Sequence, residues 1–147
     1  QNAAWKGHKK TCVTMKDVIV KVNAAEVAGD WKEILKWEGR MEEMMENQDD
    51  AGSATILDAF AQAHRMVLNS TGNRENALSV VLLQKRRVEI LGKMQRFRDQ
   101  GEALCECADF LSFLSKRQEA AGHFERGRKI GEAHGFFSLE CKSCLGL

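Results

Sequence analysis

Apolar residues along this chain recur at intervals of three and four from residue 14 onwards, which is the pattern of amphipathic helices. In the first such stretch, Val18, Val22 and Ala25 fall on one helix face. Short polar or glycine-containing segments separate the stretches, and the chain has no proline. Because only these short turns interrupt the helical pattern, the sequence predicts an all-α fold.

The turns predict that the helices pair into antiparallel hairpins. A glycine followed by a helix-capping residue marks two of the turns, at Gly29-Asp30 and Gly72-Asn73. The hairpins are predicted over residues 14–47, 51–97 and 99–134, and residues 136–147 predict the first helix of a fourth hairpin that is cut off before its partner.

Two details of these helices are also predicted. The second helix of the first hairpin is expected to run without a break from Asp30 to about Asn47, because apolar residues continue along one stripe. Asp50 or Ser53 is expected to cap the helix that follows.

The second helix of each hairpin opens with a similar phrase at a constant interval. The phrases are GDWKEILKWEGRMEEM, GNRENALSVVLLQKRR and SKRQEAAGHFERGRKI, which begin 43 residues apart at Gly29, Gly72 and Ser115. Such a period is typical of helical-hairpin repeats, which stack into solenoids and usually serve as binding scaffolds. The interval therefore predicts an α-solenoid with a period of about 43 residues.

In the third hairpin, large and small residues follow each other in an order that resembles the tetratricopeptide (TPR) repeat. The residues that carry the resemblance are Leu104, Cys107, Ala108, Leu111, Ala120, Phe124 and Gly127. The period exceeds the roughly 34 residues of the TPR motif and is more similar to the kinesin-light-chain style of repeat. Two departures are Glu132, where the motif often has proline, and Arg65, which takes the place of Ala108 in the second hairpin.

The TPR resemblance implies that the first helix of each hairpin lines a concave groove. With the 43-residue register, the inward positions are Asn23, Gln62, Met66, Asn69, Asp109, Ser112 and Phe113. Side-chain amides both donate and accept hydrogen bonds, so they can bind a peptide backbone whatever its sequence. The alternative is that these residues are solvated polar positions on helix surfaces.

The first twelve residues, QNAAWKGHKKTC, have a different character. His8 and Cys12 are four residues apart, so one helical turn would present both to one metal ion. The segment resembles the C-terminal end of a MYND-type zinc finger, and the other six ligands of such a finger would precede Gln1. Zinc is therefore expected in a full-length protein, whereas none is expected for the isolated 147-residue chain, because two ligands cannot close a structural zinc site. The alternative is a basic amphipathic helix with a chance His and Cys.

The charge balance argues against a nucleic-acid binder. The chain has 22 basic and 21 acidic residues and a formal charge of +1, whereas non-specific binding to nucleic acid needs clustered positive charge. No apolar run is long enough for a membrane segment. Five cysteines, an odd number, without a secretory apolar region predict reduced thiols in an intracellular compartment, cytoplasmic or nuclear.

The candidate reactive residues have simpler structural readings. Cys141 and Cys144 form a CxxC motif, but there is no second CxxC and no βαβ context, so both are expected to be buried packing positions. The histidines are scattered, and no Ser/His/Asp or Cys/His arrangement follows from their spacing. The sequence therefore predicts that this chain is not an enzyme.

Together these features predict a protein–protein interaction scaffold or adaptor that binds peptide or protein partners. Two alternatives stay open. The chain could be the non-catalytic part of a SET-and-MYND-type lysine methyltransferase, a family in which a MYND finger is also followed by TPR-like helices. It could instead be a structural subunit of a larger assembly.

Replacing one predicted groove amide tests whether the 43-residue repeat assigns the inward positions correctly. Asn69→Ala is expected to weaken partner binding without lowering the melting temperature, because an inward surface amide contributes hydrogen bonds to a partner and not to the core. Binding titrations and thermal unfolding measure the two effects. Unchanged binding after substitution of Asn23, Gln62 and Asn69 would contradict the register.

Overall fold

The computed structural model describes residues 14–147, which confirm the predicted all-α fold: no strand occurs in this range. Residues 1–13, which include His8 and Cys12 and the predicted resemblance to a zinc finger, lie outside the described residues. The described part of the chain contains eight α-helices and one short 3₁₀ helix at Glu38–Arg40. The α-helices are α1 Met15–Ala28, α2 Trp31–Leu35, α3 Met41–Glu46, α4 Asp50–Thr71, α5 Arg74–Lys93, α6 Phe97–Phe113, α7 Arg117–His134 and α8 Phe137–Gly146.

Each helix from α4 to α7 packs against the next helix in the chain, and α6 also contacts α8. Ion pairs link the surfaces of α3, α5 and α7. The linking pairs are Arg86 with Glu42, Lys85 with Glu119, and Arg126 with Glu89. On the other side of α5, side chains of α4, α6 and α8 meet around a cleft.

Residues with positive φ end five of the helices. Gly29, Gly72 and Gly135 have φ of 70°, 71° and 73°, and Gln95 and Ser115 have φ of 58° and 64°. A left-handed residue after the last helical turn reverses the chain and lets its N–H bond to the final carbonyls of the helix. The short turns between the helices are therefore built from local backbone geometry.

Side-chain caps begin four of the helices. Thr14, Asp30 and Asn73 accept hydrogen bonds from backbone N–H groups of α1, α2 and α5. Asp49 does the same for α4, since its Oδ1 lies 2.8 Å from the nitrogen of Gly52. The prediction of Asp50 or Ser53 as this cap is wrong, because the helix begins earlier and includes both residues.

The predicted continuous helix over residues 30–47 is also wrong. It ends at Leu35, tightens into the 3₁₀ helix, and restarts as α3 at Met41. In the break, the N–H groups of Trp37 and Arg40 bond to carbonyls only three residues back. Gly39, a poor helix former, lies within this segment. The tightened turn places the Glu38 carboxylate against the His64 ring on α4.

The buried side chains form a core that continues along the stack of helices. One cluster joins α1, α2, α3 and α4 around Val18, Ile34, Met44 and Phe60. A second joins α4, α5 and α6, and a third joins α5, α6, α7 and α8. Each cluster is enclosed by the helices that contribute to it, so the core consists of three clusters and not of a single centre.

The CxxC cysteines do not pack in the core. Cys141 and Cys144 are exposed, and the prediction that they are buried is wrong. The residues of α8 that face α6 and α7 are Leu139 and Ser143, which are four apart on the helix. Because Leu139 and Ser143 share the buried face of α8, the helical spacing places Cys141 and Cys144 on the exposed side of the helix.

Small residues let α7 approach its neighbours closely. A Cβ atom on Gly127 would lie 2.9 Å from the Ser143 hydroxyl, and a Cβ on Gly131 would lie 2.9 Å from the backbone nitrogen of Glu140. The Gly131 contacts are to backbone atoms of α8, which cannot rotate away. Gly122, on the same helix, has open space around its position.

Gly131→Ala is therefore expected to lower the free energy of unfolding. The overpacked contact should cost about 1–3 kcal/mol, and the higher helix propensity of alanine should offset part of that cost. Gly122→Ala is the matched control and should raise stability by about 0.5–1 kcal/mol. Denaturant unfolding of both variants measures the difference. Equal effects of the two substitutions would show that α8 does not pack at this distance.

Candidate functional site

A polar cleft lies between α4, α6 and α8, with α5 beneath it. Its volume is about 620 Å³. Its walls carry four acidic and three basic side chains and few apolar groups. The lining residues are Asp58, Gln62, Arg65, Arg87, Glu102, Ala103, Glu106, Asp109, Phe110 and Lys142. We call this site the α4–α6 cleft.

Helical spacing places most of these side chains on one face of each helix. On α4 the lining residues Asp58, Gln62 and Arg65 are four and three positions apart. On α6, Glu102, Glu106 and Asp109 repeat the same spacing. Two polar helix faces therefore oppose each other across the cleft.

Gln84 on α5 holds the base of the cleft together. Its side chain is fully buried, and its amide nitrogen donates to Asp58 Oδ1 at 3.2 Å and to Glu106 Oε2 at 3.1 Å. Its amide oxygen accepts from the Arg87 guanidinium at 3.5 Å. A buried amide is stable only when it is hydrogen-bonded, so this single side chain fixes groups from α4, α5 and α6.

Two acidic side chains of the cleft, Glu106 and Asp109, are partly desolvated. Burial raises the pKa of Glu106 above its ordinary range, and the nearby Asp58 charge acts in the same direction, while Arg65 opposes the shift. Burial also raises the pKa of Asp109, and the positive charge of Lys142 opposes that shift. The Glu106 carboxylate is thus held where water solvates it poorly.

Two polar atoms at the base of the cleft have no hydrogen-bond partner among the described residues. They are Glu106 Oε1, an acceptor, and Arg87 Nε, a donor. Arg87 also lies 3.8 Å from Asp58, which partly neutralises its charge. The cleft therefore combines both signs of charge with unused hydrogen-bonding capacity, a chemistry suited to a polar ligand such as a peptide segment.

The structure brings two of the seven predicted groove residues into this cleft, Gln62 and Asp109. Met66 lies in a separate pocket of about 230 Å³ beside the turn between α1 and α2. Phe113 lies at the end of α6, where the Arg74 guanidinium is 5.8 Å from its ring centre. The remaining three residues are exposed on helix surfaces: Asn23, Asn69 and Ser112.

Sequence reasoning missed most of the charged residues of the cleft. The signal for them was present, since the polar residues of α4 and α6 recur at helical spacing. There was no comparable indication in the sequence for Gln84 and Arg87, because they lie on α5, the second helix of its hairpin. Whether their side chains reach the cleft depends on the angle at which α5 packs against α4 and α6. Only the assembled helices show that they reach the same space.

The other chemically interesting groups have structural partners. His64 is buried, and its ring nitrogens contact Glu38 at 2.5 Å and Asn76 at 2.9 Å. Burial raises the pKa of Cys107 to about 12, so its thiol stays protonated. Among residues 14–147, no group of three or more His, Cys, Asp or Glu side chains is placed to hold a metal ion.

Comparison of the chain with protein-family models, with curated proteins and with solved structures gives no match. Within residues 14–147, none of the helices has the length and apolar character needed to cross a membrane.

The raised pKa of Glu106 predicts a pH-dependent stability. The folded chain binds this proton more tightly than the unfolded chain, so the contribution of Glu106 to stability is full below the ordinary value of 4.5 and is lost as the pH rises through the raised pKa. Glu106→Gln cannot ionise. Its melting temperature relative to the unsubstituted chain is therefore expected to increase between about pH 4 and about pH 7.

Glu102→Gln is the matched control, because Glu102 is an exposed carboxylate on the same face of α6. Its melting temperature relative to the unsubstituted chain should change less over the same pH range. Thermal unfolding by circular dichroism measures both variants. An equal pH response of the two would show that Glu106 is not desolvated in the folded chain.

Proposed function

We propose that this chain is a non-catalytic protein-interaction scaffold, a TPR-like α-solenoid that binds a peptide segment of a partner protein in the α4–α6 cleft. The observation that carries the proposal is the position of this cleft. It lies between the first helices of consecutive hairpins, and the buried Gln84 amide holds its opposing carboxylates in place.

The turn geometry supports a repeated unit. Gly29, Gly72 and Ser115 are 43 residues apart, each follows the first helix of a hairpin, and their φ angles of 70°, 71° and 64° are nearly equal. The chain thus makes the same reversal at the same interval three times. The ion pairs that join α3, α5 and α7 are consistent with second helices arranged side by side along a stack.

The chemistry of the cleft supports a peptide ligand. An extended peptide presents N–H donors and C=O acceptors along its length, and the cleft offers carboxylates, the Gln62 amide and basic groups to both. Arg65 and Lys142 form no ion pair within residues 14–147, so they are available to a partner. Charged groups of both signs favour selectivity between partners more than raw affinity.

The proposal includes the N-terminal segment. His8 and Cys12 are proposed to supply the last two zinc ligands of a MYND-type finger in a longer protein, from the resemblance of residues 1–12 to the end of such a finger. A finger joined to a helical repeat would give one molecule two modules for protein partners.

A peptide-display selection tests this function. A library of random peptides is selected on the 147-residue chain, and the enriched peptides are titrated against Arg65→Glu and Asp109→Lys. Because each substitution reverses a charge in the cleft, each is expected to weaken binding by about tenfold or more. Fluorescence anisotropy gives the dissociation constants, and circular dichroism verifies that the variants fold.

Lys129→Glu is the control, an exposed charge reversal on α7 outside the cleft. It should leave binding unchanged. The proposal fails if no peptide is enriched, or if the enriched peptides bind the cleft variants as tightly as they bind the unsubstituted chain.

A further inference from the structure

A second surface of the chain combines exposed apolar side chains with positive charge. Leu78 and Leu82 on α5 are 41% and 55% exposed, and Phe113 at the end of α6 is 48% exposed. Leu114 lies next to Phe113 and is half-buried. We call these four residues the α5 patch.

The α5 patch is separate from the α4–α6 cleft. Leu82 is two positions from Gln84, which places the two side chains on opposite sides of a helix that turns about 100° per residue. Leu78 and Leu82 are four positions apart and form a ridge along the outer side of α5. The cleft lies on the Gln84 side.

A small apolar cavity lies at one end of this ridge. Its volume is about 230 Å³, and it is lined by Arg74, Glu75, Leu78, Leu114 and Lys116. This pocket is open to solvent, and its volume is sufficient for one large apolar side chain of a partner. Such a pocket beside a ridge of leucines matches the way an amphipathic helix docks, with one anchor residue inserted and others packed alongside.

The charge around the patch is predominantly positive. Arg74, Lys116 and Arg117 are exposed, and none of them forms an ion pair within residues 14–147. Two carboxylates lie near these basic groups among the described residues. Glu75 lines the cavity, and Glu119, which is paired with Lys85, is close enough to Lys116 for that charge to lower the pKa of Glu119. By contrast, Lys85 and Arg86, further along α5, are neutralised by Glu119 and Glu42.

We propose that the α5 patch docks an amphipathic helix of a partner protein that carries apolar anchors flanked by acidic residues. The apolar anchors match Leu78, Leu82 and the cavity, and the acidic flanks match the exposed basic residues Arg74, Lys116 and Arg117. A helix with basic flanks would meet like charge at the same positions and would be rejected. This surface gives the chain a docking site in addition to the proposed peptide cleft.

Two designed peptides test the proposal. Both are fluorescein-labelled helices of about five turns with leucine at positions i, i+3, i+4 and i+7 and alanine spacers, and they differ only in having glutamate or lysine on the polar face. Anisotropy titrations use the 147-residue chain. The glutamate peptide is expected to bind about tenfold or more tightly than the lysine peptide, with the difference decreasing as salt is added.

Leu78→Glu is the diagnostic variant, because it places a charge in the ridge and beside the cavity. It is expected to raise the dissociation constant of the glutamate peptide by about tenfold or more. Leu145→Glu is the matched control, since Leu145 is 89% exposed on α8, and it should have no effect. Both positions are exposed, so both variants are expected to fold, which circular dichroism verifies.

Several results would overturn the proposal. They are failure of the glutamate peptide to bind, equal binding of the two peptides, and equal effects of Leu78→Glu and Leu145→Glu. Sedimentation showing a dimer that Leu78→Glu disrupts would assign the patch to a second copy of this chain instead. Phosphatidylserine vesicles that bind the chain and displace the glutamate peptide would assign it to a lipid surface. Asp109→Lys should leave the glutamate peptide bound, so a failed peptide cleft and a failed α5 patch are distinguishable.

Discussion

The apolar residues of the long helices face more than one neighbour, and this constrains the rest of the structure. On α5, Val81 packs with α6 and α7, while Leu83 packs with the first helices of the chain. Such a helix cannot bury its apolar surface against one partner, so it is stable only between the helices before and after it. The result is a core that passes from one helix to the next along the chain.

Stacking also explains the two polar features of the molecule. Where helices stack, their exposed faces align, so polar residues at helical spacing on α4 and α6 face each other across the cleft. Gln84 then serves as a neutral bridge between two half-buried carboxylates, Asp58 and Glu106. The same alignment lets exposed ion pairs join α3, α5 and α7. Exposed ion pairs of this kind contribute little to stability. They chiefly indicate which helices are neighbours.

The close approach of α7 to α8 depends on the absence of side chains. Gly127 and Gly131 leave room for Ser143 and for the α8 backbone, and this contact fixes the phase of α8. The phase in turn exposes Cys141 and Cys144 and buries Ser143, whose hydroxyl lies 3.2 Å from the Cys105 sulfur. A packing constraint on one helix thus decides which groups of the next helix meet solvent.

The sequence by itself determined the fold class, the approximate bounds of the helices outside residues 30–47, and the glycine turns, because these depend on local backbone preferences and on apolar spacing within a few residues. Of the seven groove residues that it predicted, the structure brings Gln62 and Asp109 into one cleft. The break at residues 36–40, the phase of α8 and the contents of the cleft were decided only by the tertiary structure. Each depends on contacts between residues far apart in the chain, as when Glu38 meets His64 or Gln84 bridges Asp58 and Glu106. Local periodicity places a residue on a helix face, but the packing angle between helices decides what that face meets.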